Sequence, residues 1–315
     1  MERIGRICRV DKNQFTILYE GWEFPAKLRG RFYNEGAAFP TVGDYVEFTP
    51  VEHGESMIEH MLERKTVLTR PDQSGHAASY VKNLQEQVIA ANFDYVFIIA
   101  SLNENYNGNR IARYISITIE GGGIPVVILT KADLCKDVTP FVKEVKALSD
   151  KVRVHAVSTF SKEGLDGLGE YLKADKTIAL VGSSGVGKST LVNALAGREV
   201  MKTGAIRQKD GKGRHTTTTR QMIVLDCGAT LIDTPGMREI GVADVDEGIQ
   251  ETFSDVEELA CYCKFRDCSH GNEPGCAVRA AIEEGSLDRK RFLLYQGLMK
   301  ESRKNAARKA TSGRR

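Results

Sequence analysis

Gly182-Ser183-Ser184-Gly185-Val186-Gly187-Lys188-Ser189 stands between an apolar run, Thr177–Val181, and a helical pattern that starts at Ser189. The glycines allow backbone N–H groups to turn inward around phosphates. Lys188 offers a point charge to the β- and γ-phosphates, and the Ser189 hydroxyl offers a magnesium ligand. Strand before and helix after is the context this chemistry needs. The loop therefore predicts an α/β layer whose ligands lie at the carboxyl ends of its strands. The candidate nucleotide ligands are Gly182, Ser183, Ser184, Gly185, Val186, Gly187, Lys188, Ser189 and Thr190.

Three further segments turn a phosphate loop into a guanine nucleotide site. Asp233-Thr234-Pro235-Gly236 closes the apolar strand Thr230–Ile232 about 50 residues later, where Asp233 can hold magnesium through water and the Gly236 N–H can approach the γ-phosphate. Thr130-Lys131-Ala132-Asp133 follows the strand Val126–Leu129. The Asp133 carboxylate can accept from guanine's ring N–H and its amino group, a donor pair that adenine lacks. The Lys131 stem can lie along the base. Thr130 stands where GTPases usually carry Asn, so one contact to the base is expected to be lost. Ser158, after the strand Val152–Val157, can give a backbone N–H to the guanine oxygen. Between the phosphate loop and Asp233 lies Gly213-Arg214-His215-Thr216-Thr217-Thr218-Thr219, where the first switch belongs. Thr217 is the candidate second magnesium ligand, and His215 a candidate to position water. Met237 stands where many GTPases carry a water-orienting Gln, so unassisted hydrolysis is expected to be slow.

The order of these parts is permuted: Asp133 and Ser158 precede Gly182. The same sheet forms if the domain is circularly permuted, since domain termini often lie close together. Strands at Phe93–Ala100, Pro125–Leu129, Val152–Val157, Thr177–Val181, Gln221–Leu225 and Thr230–Ile232 alternate with helices near Ile111–Glu120 and Pro140–Ser149, which predicts a mostly parallel sheet.

Outward from this layer the texture changes. Ile4–Val10, Gln14–Tyr19, Trp22–Leu28, Asp44–Phe48 and Met57–Leu62 read as five short strands, the pattern of a small OB-fold barrel. Toward the other end, Cys263, Cys268, His270 and Cys276 supply three thiolates and one imidazole, enough to fill a tetrahedral zinc site with no open position. Cys261 can replace Cys263 in that set. Cys8, Cys135 and Cys227 are isolated and read as buried thiols. Ala277–Glu284 reads as a helix ended by Gly285. Ser286 is the expected cap of the next helix, on which Phe292, Tyr295 and Met299 share a face. The 315 residues suffice for more than one domain, and 41% apolar with 27% charged residues is ordinary globular composition. No apolar run is long enough to span a membrane, and the N-terminus reads as having no signal peptide, so a cytoplasmic protein is expected. Net charge is +2, but residues 289–315 hold ten Lys/Arg against Glu301, which suits a polyanionic partner.

With these segments in view, the chain resembles the RsgA (YjeQ) family of bacterial ribosome-biogenesis GTPases. The resemblance rests on Thr130–Asp133, Gly182–Thr190, Gly213–Thr218, Asp233–Gly236, the Cys263–Cys276 cluster and the lead Gln87–Asp94. It implies a multi-domain chain: an all-β OB-fold barrel over residues 1–70, a circularly permuted α/β P-loop GTPase over 71–241, and a mostly helical zinc domain with a basic tail over 242–315. It implies hydrolysis of GTP to GDP with Mg²⁺, and one structural Zn²⁺ on Cys263, Cys268, His270 and Cys276. Binding to the small (30S) ribosomal subunit and its rRNA late in maturation, with hydrolysis stimulated by the subunit, is implied as well. The chain is read as a monomer with no membrane partner. The competing reading is a nucleotide-gated RNA-binding module with incidental turnover.

Overall fold

The structure, a computed structural model, describes residues 3–11, 14–34, 38–51, 54–71, 86–202, 220–234 and 246–312. Five strands open the chain: β1 (Arg3–Asp11), β2 (Gln14–Tyr19), β3 (Trp22–Leu28), β4 (Tyr45–Thr49) and β5 (Ser56–Met61). A single helical turn, α1 (Arg31–Asn34), lies between β3 and β4. Period-two alternation buries Phe15, Ile17, Val46, Phe48 and Ile58 on one face. The strands pair in the order β1-β2-β3-β5-β4, and β4 returns to β1, which closes the barrel in the OB arrangement. Glu20 and Gly21, both at positive φ, make the two-residue β2–β3 turn.

The central layer holds β8 (Tyr95–Ser101), α2 (Gly108–Glu120), β9 (Ile124–Thr130), α3 (Thr139–Lys146), β10 (Arg153–Ala156), β11 (Thr177–Gly182), α4 (Lys188–Ala196), β12 (Arg220–Val224) and β13 (Thr230–Asp233). Spatial order is β10-β9-β8-β11-β13-β12, parallel except for β12, which pairs antiparallel with β13. Alternate residues feed two cores. Val96, Ile98, Val127, Leu129, Ala179 and Val181 face α2 and α3, whereas Phe97, Ile99, Val126, Ile128, Ile178 and Leu180 face α4. β12 also pairs with β1, so the barrel continues the central sheet. Four helices follow: α5 (Asp246–Thr252), α6 (Ser254–Ala260), α7 (Ala277–Glu284) and α8 (Arg289–Ser312). Among the described residues no helix is long and apolar enough to cross a membrane.

Some expectations change. A hairpin of β6 (Val67–Pro71) and β7 (Glu86–Ala91) joins barrel to sheet, and the expected boundary after residue 70 falls inside β6. Helix α3 stops at Lys146 rather than Ser149. Gly285 ends α7 at φ +78°, as its freedom from Cβ strain allows. The Ser286 hydroxyl turns back to the Ala281 carbonyl; Asp288 caps α8 instead, accepting from the Lys290 N–H at 2.6 Å. Of the isolated thiols Cys8 is buried, Cys135 half-buried and Cys227 exposed.

Candidate functional site

Parallel register brings the predicted residues to one rim. Ser101 lies beside Thr130, Leu180 beside Asp233, and Ala156 beside Leu129. The phosphate loop leaves β11 and enters α4 through Gly182, Gly185 and Gly187, at φ +157°, +81° and +93°. A Cβ at Gly182 would stand 2.6 Å from the Ile99 carbonyl oxygen, so the strand end admits only glycine. Lys188, first residue of α4, directs its ammonium to Asp233 Oδ1 at 2.8 Å and to the Thr234 carbonyl at 3.5 Å. Asp233 is buried, and its Oδ1 meets the ammonium at an angle that makes no hydrogen bond. The Thr234 hydroxyl donates to the Leu180 carbonyl at 2.5 Å and ties the end of β13 to the phosphate-loop strand. A buried carboxylate with an incompletely satisfied oxygen, next to a lysine and beside the Ser189 position, suits a divalent cation with its phosphates.

The Thr130–Asp133 segment turns over the same loop. Lys131 takes the left-handed conformation at φ +60°, a short 3₁₀ turn covers Ala132–Leu134, and the Asp133 side chain is exposed to the rim. Thr130 is buried, and its hydroxyl donates to the Val186 carbonyl at 2.5 Å. Lys131 Nζ donates to the Gly185 carbonyl at 3.0 Å. Thr130 thus braces the phosphate loop with a loop-to-loop bond. Ser158 stands in the turn after β10. Its N–H donates to the Glu163 carbonyl at 3.0 Å, and its hydroxyl accepts from the Phe160 and Ser161 N–H groups. These bonds shape the turn. His215, Thr217 and Gly236 lie outside the described residues.

One residue at the rim carries no sequence signal. Arg110, in the first turn of α2, donates to the Ser183 hydroxyl at 3.1 Å across 73 positions of chain. Nothing in local pattern or spacing points to it.

The second constellation lies in the turn between α6 and α7. Ligand atoms of Cys263, Cys268, His270 and Cys276 all fall within 4.8 Å of one another, close enough to hold one ion. Cys263 Sγ lies 3.6 Å and Cys276 Sγ 3.5 Å from His270 Nδ1. Burial pulls the His270 pKa down, which favours the neutral imidazole a metal requires. Cys261 is exposed and its thiol points back to the Glu257 carbonyl, so Cys263 is the member of the cluster. The Glu273 carboxylate accepts from the Ser269 hydroxyl and from the Ser269 and Gly271 N–H groups, and these bonds hold its pKa at about 2. The S₃N donor set fits zinc.

Comparison with known proteins agrees with a GTPase. Residues 61–243 match the family described as RsgA GTPase. Small ribosomal subunit biogenesis GTPase RsgA 2 of Listeria monocytogenes serotype 4b (strain F2365) is 44% identical over 308 residues, covering 96% of this chain and 85% of the relative. The protein of that name from Methanosarcina acetivorans, RsgA, is 43% identical over 298 residues, covering 94% and 79%. Among solved structures, YjeQ from Thermotoga maritima superposes with a TM-score of 0.70 at 29% identity, covering 96% of this chain and 98% of that one. YloQ, a circularly permuted GTPase, superposes at 0.64 with 22% identity over 96% of each chain, a likeness of fold. The chain therefore belongs to the RsgA GTPase family and is a GTP hydrolase with a circularly permuted nucleotide domain.

Proposed function

We propose that this GTPase acts on the small ribosomal subunit during its late maturation, binding it and its rRNA, and that the subunit stimulates hydrolysis of GTP to GDP. The observation that carries the proposal is the placement of a braced phosphate loop and base loop on one rim, in a sheet that runs on into an OB barrel and packs against helices bearing a Cys/His cluster. Relatives 43% and 44% identical over 94% and 96% of this chain are named for small-subunit biogenesis.

In this reading the N–H groups of Gly182–Thr190 cradle the phosphates. Lys188 leaves Asp233 for the β- and γ-phosphates, which frees the carboxylate to face the cation. Ser189 and Thr217 would hold magnesium, which when bound neutralises charge between the β- and γ-phosphates. Asp133 selects guanine, the Lys131 stem lines the base, the Gly236 N–H senses the γ-phosphate, and His215 positions water. Cys263, Cys268, His270 and Cys276 hold one structural zinc. The working division is 1–70 for the barrel, 71–241 for the GTPase and 242–315 for the zinc domain, in a cytoplasmic monomer.

The test is phosphate release from GTP with small subunits, large subunits or neither. A rise of at least tenfold with small subunits alone is expected, since an incomplete water-positioning set leaves the free chain slow. An unchanged rate would overturn the proposal in favour of an RNA-binding module with incidental turnover.

A further inference from the structure

We infer that Arg110 is a positioning residue for the phosphate loop, and that α2 links this loop mechanically to the C-terminal helices. The side chain of Asn107 caps α2 by accepting the Arg110 N–H at 2.9 Å, which fixes the backbone from which the guanidinium reaches Ser183. Asn105, Asn107, Arg110, Ser183 and Val186 line one small pocket, so the head of α2 and the loop face each other. A shift of α2 is passed to the loop through the Arg110–Ser183 bond.

Further along, α2 is bonded to the C-terminal helices at three successive turns. Arg113 donates to Glu301 of α8 at 2.6 Å. The Ser116 and Thr252 hydroxyls meet at 3.2 Å, and Glu120 accepts the Gly248 N–H of α5 at 2.6 Å. The spacing 113, 116, 120 keeps these groups on one helix face. Contact there is close enough that a Cβ at Gly248 would lie 2.2 Å from the Ser116 carbonyl oxygen. The two bodies thus share a rod: Arg110 at its phosphate end, Arg113, Ser116 and Glu120 along its length. Displacing α8 or α5 moves the Ser183 end of the loop.

The experiment uses the full-length chain with a fluorescent GTP or GDP as probe. Arg110→Gln is expected to weaken nucleotide binding about threefold to tenfold, the range of one ordinary hydrogen bond. KM for GTP rises with it while kcat stays within about twofold, since the bond is made equally in ground and transition states. Arg110→Lys, which keeps one donor, recovers part of the loss; a merely structural role would not show that rescue at an unchanged melting temperature. Ser183→Ala combined with Arg110→Gln is no weaker than the worse single variant. Glu301→Gln weakens binding about twofold alone and has no further effect in the Arg110→Gln background. Wild-type affinity in Arg110→Gln would overturn the positioning role, and additive losses in Arg110→Gln/Glu301→Gln would overturn the link. Failure of the unmodified chain to bind GTP would instead refute the assignment of the site itself.

Discussion

The barrel and the C-terminal helices flank the same sheet but are joined to it by different physics. The barrel has a core of its own, built from Ile7, Phe15, Ile17, Val46, Phe48 and Ile58. Its seam with the sheet is mostly hydrogen-bonded, with Val42 and Val10 as its apolar contacts to the central core: β1 pairs with β12 at Arg9–Gln221 and Val10–Arg220, and Arg6 donates to Thr177 and to the Asn92 carbonyl. The C-terminal helices instead contribute Ile249, Phe253, Val256, Val278, Phe292, Tyr295 and Leu298 to the cluster that holds Val96, Ile98, Ile111 and Ile115 of the central layer. Hydrogen bonds exchanged with water are worth little net, about 0.5–1.5 kcal/mol each, whereas a shared apolar core makes its contributors one cooperative body. The contrast predicts that the barrel unfolds as a unit of its own, whereas the C-terminal helices unfold together with the nucleotide domain.

Metal removal probes the exception within the C-terminal part. Cys261–Cys276 contains neither helix nor strand and is held by its cluster and by Glu273. Elemental assay is expected to find about one zinc per chain. Cys268→Ser should lose it and unfold this turn, with a local cost on the order of 10 kcal/mol by analogy with small zinc domains. Zinc-free protein that keeps the turn protected from hydrogen exchange would show that packing alone holds it.

The contrast itself is tested by two matched cavities. Phe48 and Phe253 are both fully buried, and alanine at either should cost about 3–5 kcal/mol. Phe253→Ala should lower nucleotide affinity and the melting temperature of the central layer together. Phe48→Ala should loosen the barrel in its own transition, with nucleotide binding intact. A single joint transition in Phe48→Ala, followed by hydrogen exchange with mass spectrometry, would erase the distinction between the two attachments.

What was legible in the sequence was what is local. The glycine pattern of residues 182–187 needs only neighbouring φ angles, and the bounds of β2 and β3 follow from alternation and the Glu20-Gly21 turn. What escaped is long-range. β6 meets β7 across an intervening segment, and β1 meets β12 across more than half the chain. The bond from Thr130 to Val186 spans 56 positions and leaves no mark in the sequence. Nor does sequence show that the Ser158 N–H donates to the Glu163 carbonyl. Spacing could not choose between Cys261 and Cys263; the direction in which α6 ends does, by turning Cys261 onto Glu257. The seven-residue helices α5 and α6 are too short for periodicity to declare them, and packing of α5 on α2 and of α6 on α7 stabilises what propensity does not.

The smallest effects come from the two arginines that staple the flanking parts. Arg6 lies over the Tyr45 ring at 5.0 Å and spans barrel and sheet. Arg291 lies over the Phe253 ring at 4.7 Å, forks onto Asp255 at 2.6 and 2.7 Å, and donates to the Ala147 and Leu148 carbonyls just past α3. Methionine at either position keeps an unbranched apolar stem and removes the donors, at an expected cost of about 1.5–3 kcal/mol. The readouts should differ. Arg291→Met frees the far end of α3, the helix whose start at Thr139 follows the Asp133 turn, and should raise the GTP dissociation constant about twofold to fivefold, the fraction of that cost felt at the base. Arg6→Met should speed hydrogen exchange in β1 and β12 and leave GTP affinity alone, because its partners Thr177 and Asn92 lie at the amino-end edge of the sheet, opposite the rim that holds Gly182 and Asp233. Equal losses of affinity would mean that strain at the barrel seam travels the length of β11 to the phosphate loop, and the hydrogen-bonded seam would then belong to the same cooperative body as the shared core.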